Sequence, residues 1–150
     1  MRAQEFLSEV RDRAVARLPV ELRDWRSRIV YATLQTHYGN PHVHYEVWLV
    51  RKTSRIEIGL HFEADRDANH AWATLLAAHA DELREAIGPG VELEEWTPSW
   101  TRLHETLPLG PLDNALCDAV AERLAAIVAA TGSYLTPRPP SLAGKGVPGR

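Results

Sequence analysis

HVHYEVWLVRKTSRIEIGLHFE, residues 42–63, contains two runs of period-two alternation separated by Lys52-Thr53-Ser54. Val43, Tyr45, Val47 and Leu49 alternate with His44, Glu46 and Trp48. Ile56, Ile58, Leu60 and Phe62 alternate with Arg55, Glu57, Gly59, His61 and Glu63. Because successive strand side chains point to opposite faces, this pattern predicts an antiparallel hairpin with one apolar wall and one polar face. The rest of the chain is read as the cover for that wall.

Upstream, Phe6, Leu7, Val10, Ala14 and Leu18 recur at helical spacing over residues 3–18, and Pro19 ends the run. Residues 28–38, RIVYATLQTHY, are β-branched and aromatic enough for a first strand, with Gly39-Asn40-Pro41 as the turn into the hairpin. Downstream the period changes. Ala71, Trp72, Leu75, Leu76, His79, Leu83 and Ile87 mark one helical stripe from Asp67 to Ile87, with Asp65 or Asp67 as its cap and Gly88-Pro89-Gly90 as its stop. Val91–Trp96 and Trp100–Leu107 read as strands split at Thr97-Pro98-Ser99. A last helix carries Leu112, Leu116, Val120, Leu124, Ile127 and Val128 and closes at Gly132. The expected order is α-β-β-β-α-β-β-α: an α+β two-layer sandwich with a five-stranded, mostly antiparallel sheet, one face roofed by the later helices. Residues 1–136 form the single expected domain, and the Pro/Gly-rich stretch 137–150 is expected to be a disordered tail.

Composition narrows the function classes. The chain has 150 residues and a net charge of −3, and 137–150 hold Arg138, Lys145 and Arg150 with no acid, so the body is more acidic still. Nucleic acid is therefore disfavoured as a direct partner. No run reaches the roughly 20 apolar residues of a membrane span. The N-terminal stretch lacks a secretory pattern, and the single cysteine, Cys117, reads as a buried thiol, so a cytoplasmic location is expected.

From Tyr45 to Leu135 the chain is similar in layout to a bacterial domain of unknown function, sometimes fused to restriction-nuclease-like modules. The matching stretches are YEVWLV, RIEIGLHFE, His79-Ala80-Asp81-Glu82-Leu83, EEWTPSWTRLHE and the closing helix. That resemblance implies an accessory role beside a DNA restriction-modification enzyme and carries no catalytic residues with it. The element order also resembles that of type III secretion chaperones, small dimeric modules that bind partner segments on their surfaces; this likeness is one of topology.

Among the residues themselves, tryptophan and arginine on a polar sheet face are interface types. Trp48, Trp96, Arg55, Arg102 and His61 point to a non-enzymatic binding or regulatory module that holds a protein partner or a second copy across the open face. That reading calls for no cofactor. Trp48 would otherwise be covered by the first helix. The alternative is a metal-dependent, hydrolase-like enzyme. His37, His42 and His44 lie within one short stretch, and His42, His44 and His61, with Glu46 or Glu63, offer the imidazole and carboxylate donors that hold Zn²⁺. Against it stands the reading of these histidines as solvent-facing on a wet face. The acids Glu57, Glu63, Asp65, Glu92, Glu94 and Glu95 do not make a restriction-type nuclease, since Glu57-Ile58-Gly59 lacks the lysine that positions water. Ser99 has no Gly-x-Ser-x-Gly setting.

Overall fold

A computed structural model describes residues 1–95 and 100–135. Trp96 and the expected tail at 137–150 lie outside the described residues. The hairpin forms as its alternation predicts: β3 (Val43–Val50) pairs antiparallel with β4 (Arg55–Phe62), Val43 opposite Phe62 and Leu49 opposite Ile56. A 3₁₀ turn at Arg51–Thr53 joins them, and Ser54 takes a left-handed φ of 52° to reverse the chain.

The stretch 28–38 is not one strand. It divides into β1 (Arg26–Val30) and β2 (Thr33–His37), paired to each other through a turn at Tyr31-Ala32. Alternation continues through both strands, so the sequence carries no apolar break to mark the turn; the residue at the corner, Tyr31, adopts a φ of 54° that glycine normally supplies. With β5 (Glu92–Glu95) and β6 (Thr101–Pro108) the sheet has six strands rather than five, in the order β1-β2-β3-β4-β6-β5, all neighbouring pairs antiparallel. It is not closed into a barrel.

The expected long helix is also broken. α2 (Arg66–Ala78) starts at Asp65, whose carboxylate accepts from Ala68 N at 2.9 Å, and ends at His79; α3 (Ala80–Ile87) follows and stops at Gly88, whose φ of 137° favours glycine. α1 (Ala3–Arg17) and α4 (Asn114–Thr131), the latter capped by Asp113, pack on each other and on the apolar wall. Phe6, Leu7, Val10 and Ala14 of α1 join Tyr45, Ile58, Leu60 and Phe62 of the sheet and Val120, Leu124 and Val128 of α4 in one core. α1 therefore belongs to the apolar side and does not roof Trp48. Cys117 is buried there as a free thiol. Two polar features cross this side fully partnered. Tyr45 Oη shares a 2.7 Å hydrogen bond with Thr131 Oγ1, and Glu105 of β6 accepts from Arg123 of α4 at 2.6 and 3.0 Å. Among the described residues no helix is long and apolar enough to cross a membrane.

Gly59 sits in the centre of the sheet between Glu46 of β3 and His104 of β6. A Cβ there would lie 2.6 Å from Leu103 O and 2.7 Å from His104 Cβ. Backbone cannot yield as a flexible side chain does, so Gly59→Ala is expected to cost about 1–3 kcal/mol by overpacking. Urea unfolding measures it, and an unchanged midpoint would show that β6 shifts freely.

Candidate metal centre

The polar face is assembled by register. His44 lies directly opposite His61, and His61 opposite Arg102; Glu46 lies opposite Gly59, and Gly59 opposite His104. Gly59 presents no side chain to that face, which leaves room beside it for the groups of the neighbouring positions. His44 and His61 stack with ring centroids 5.4 Å apart and planes 19° off parallel. Glu46, two residues on from His44, and Glu63, two on from His61, return to the same face and close around the rings.

The result is a buried knot of four donors. His44 Nε2 is 3.3 Å from Glu46 Oε1 and 3.8 Å from Glu63 Oε2; His61 Nδ1 is 3.1 Å from Glu63 Oε2, and His61 Nε2 is 3.9 Å from Glu46 Oε2. One ligand atom from each of the four residues lies within 4.8 Å of all the others. His44 is only 4% exposed, His61 3% and Glu46 8%, so these are not the solvent-facing histidines the alternation implied. The sequence could say which face they share. It could not say that their own packing would seal that face.

Comparison with protein-family models, with curated proteins and with solved structures finds no match.

Hydrogen-bond polarity sets the terms. His44 Nδ1 is 2.9 Å from Pro41 O, a carbonyl that can only accept, so Nδ1 carries the hydrogen and Nε2 is the nitrogen turned to the carboxylates. A neutral His44 would then aim a lone pair at two carboxylates. Something positive must stand between them, either a proton or a metal ion. Burial opposes an imidazolium at His44. The Glu46 hydrogen bond, the Glu63 charge and the Pro41 carbonyl outweigh it and hold the group above the ordinary imidazole value. Burial likewise raises Glu46, while His44, the charge of His61 and a hydrogen bond from Gln35 pull it down further, leaving its carboxyl below the ordinary range. Gln35 Nε2 donates to Glu46 Oε1 at 3.1 Å.

His42, expected on the strand beside His44, precedes it. Its side chain is exposed, its backbone N–H donates to Asn40 Oδ1, and it takes no part in the cluster. His37 reaches the same end of the face; burial, with Arg26, His44 and Arg28 adding their charge, holds it below its ordinary value. Of the expected interface residues, Trp48 is half-buried on β3 and Arg55 is exposed, its guanidinium bonded to Thr106 Oγ1. Arg102 is 9% exposed and bridges Glu57 at 2.6 Å and Glu94 at 2.7 Å.

A second acidic group, Glu92, Glu94 and His104, also gathers its ligand atoms within 4.8 Å. Burial and the adjacent Arg102 hold His104 below its ordinary value despite the surrounding glutamates. Its Nε2 lies 2.8 Å from Glu94 Oε1, yet neither ring nitrogen is aligned for a hydrogen bond. Arg102 already supplies this group with a cation, which makes the His44–Glu46–His61–Glu63 knot the better candidate for a metal ion. Alternation of Glu92 with Glu94 and of Arg102 with His104 was the sequence signal for the second group, but their adjacency needed the β5–β6 register.

Proposed function

We propose that the protein is a metal-dependent, hydrolase-like enzyme whose centre is His44, Glu46, His61 and Glu63. The observation that carries it is the convergence of two imidazoles and two carboxylates in one buried knot, with His44 Nδ1 fixed by Pro41 O so that Nε2 faces the other donors. Metal–ligand bonds of 2.0–2.1 Å in a tetrahedron require donors about 3.3–3.4 Å apart. One ligand atom from each of the four residues already lies within 4.8 Å of the others, so small side-chain rotations would bring the donors to that spacing. Charge also balances, since one divalent cation neutralises two carboxylates between two neutral imidazoles.

A divalent metal at such a site supplies Lewis acidity and water activation. His44, His61 and Glu46, the three most buried, are the anchors. Glu63, with the most exposed side chain of the four at 18%, stands at the mouth, where it serves as a fourth ligand or as the carboxylate that takes a proton from water. The binding-module reading has less behind it, because Arg102 is committed to Glu57 and Glu94 inside the sheet.

Elemental analysis of gently purified protein, followed by zinc and cobalt titration of the EDTA-treated chain, tests the proposal. One equivalent of metal per chain is expected, with the visible absorption of four-coordinate cobalt. Absence of metal together with no heat on zinc titration would overturn it.

A further inference from the structure

The open face continues past the metal centre onto β1 and β2, where it dips. One hollow of about 470 Å³ is lined by Arg28, Tyr31, Gln35, Glu46 and Trp48 among others, and a second of about 220 Å³ by Arg26, Arg28, Gln35, His37 and His44. They share Arg28 and Gln35, and each includes a residue of the metal centre. Beside one carboxylate, Glu46, which is engaged by Gln35 and His44, two kinds of lining side chain are suited to a ligand. Arg26 and Arg28 sit two apart on β1, on the same face, and among the described residues neither has a carboxylate partner. In an acidic protein that leaves two uncompensated guanidinium groups side by side. Arg28 Nε donates to Gln35 Oε1 at 3.1 Å, which fixes the side chain over the hollow while its terminal N–H groups remain for another acceptor.

The other kind is aromatic. Trp48 is half-buried on the floor, and Tyr31 stands at the rim with 85% of its surface exposed. Tyr31 also holds a φ of 54°, a conformation costly for a ring-bearing residue and free for glycine. A tyrosine that buries so little and strains its own backbone contributes little to the fold. Its place beside Trp48 accounts for it if a flat ligand lies between them.

We propose that this double hollow is a pocket for a small organic anion that joins a planar ring to a phosphate or carboxylate. The ring lies against Trp48 and Tyr31, and the anionic group is held by Arg28 and Arg26. Two strand spacings and a two-residue step separate the Cα positions of Arg28 and Trp48 by roughly 12 Å, and the arginine side chain shortens that gap. An aryl phosphate or a nucleoside monophosphate spans what is left. Gln35 links the pocket to the metal centre, donating to Glu46 while accepting from Arg28. That the anion is the substrate of the metal centre rests on the metal reading; that it binds here does not.

Titration calorimetry on the EDTA-treated, full-length protein reads the pocket alone, with 1-naphthyl phosphate and adenosine monophosphate as probes and inorganic phosphate and 1-naphthol as controls. At least one probe is expected to bind with a dissociation constant below about 1 mM, and both controls about tenfold or more weaker. Arg28→Ala is expected to weaken the probe about tenfold. Tyr31→Gly is the sharper variant: relief of the left-handed backbone raises the melting temperature while loss of the ring weakens binding. A purely structural tyrosine would not move the two readouts in opposite directions. The pocket is overturned if neither probe binds, if inorganic phosphate binds as tightly as the probes, or if both variants bind like wild type. Zinc titration of the same samples separates the two proposals, since zinc binding without probe binding removes the pocket alone and the reverse removes the metal centre alone.

Discussion

Zinc supplied at about a hundredfold excess over its dissociation constant is expected to stabilise the wild-type protein by about 2.7 kcal/mol and to raise the melting temperature by roughly 5–10 °C. His61→Ala and Glu46→Gln are expected to abolish that rise. Removing a group that merely supports a ligand costs about 10–100-fold in metal affinity, and removing a ligand costs more. His42→Ala is the control. It lies outside the knot and is expected to leave the zinc shift intact, although it is one of the three histidines that the sequence alone would have chosen. Equal shifts in wild type and His61→Ala would sink the assignment.

The pH dependence follows from the two perturbed groups. His44 is raised from an ordinary 6.5, so its pairing stabilises the metal-free protein fully below that value and the contribution is lost as pH rises through the folded-state pKa. Glu46 is lowered from 4.5, so its contribution is present above that value and is lost as pH falls through the folded-state pKa. Between about 4.5 and 6.5 the knot is stable on protons alone. Above that window, on the proposed metal reading, a metal ion would take the place of the departing proton. Zinc is therefore expected to move the pH of maximum stability upward, with zinc affinity falling as the solution is acidified through the His44 transition. Melting curves across pH with and without zinc check this, and a zinc increment independent of pH would count against it.

Trp72→Ala is expected to remove about 3–5 kcal/mol of stability. Trp72 is 1% exposed and stacks on Phe62 at a centroid distance of 5.5 Å with planes 17° apart, so truncation opens a cavity where α2 meets β4. Against a total of about 5–15 kcal/mol for a domain, this is a large share. Its indole Nε1 is buried without a hydrogen-bond partner among the described residues, a group whose desolvation costs about 1–3 kcal/mol. Trp72→Phe removes that donor along with some volume, so it is expected to cost far less than alanine. Urea midpoints with an unchanged slope would establish both values. A loss below about 1 kcal/mol in Trp72→Ala would mean that the helix collapses onto the sheet and closes the gap.

Alternation alone determined which residues share a face. With a fixed period of two, Tyr45, Ile58, Leu60 and Phe62 had to point one way and His44, Glu46, His61 and Glu63 the other, whatever the partners. Helical spacing did the same for Phe6, Val10, Val120 and Leu124. Only the tertiary structure decided which of these residues touch. The turn ending at Ser54 sets His44 opposite His61, and the turn at Asn40-Pro41, where Asn40 accepts from the backbone of His42 and Val43, keeps His42 out of the strand; register depends on turn geometry that the pattern does not encode. The turns at Tyr31 and His79 were hidden because both interrupt runs whose polarity continues unbroken, one in a strand pair and one in a helix pair. Burial of the polar knot was hidden for a related reason. A histidine on an open face and one sealed by two carboxylates and a stacked imidazole occupy the same place in the sequence pattern, and they differ only in what the next strand brings alongside.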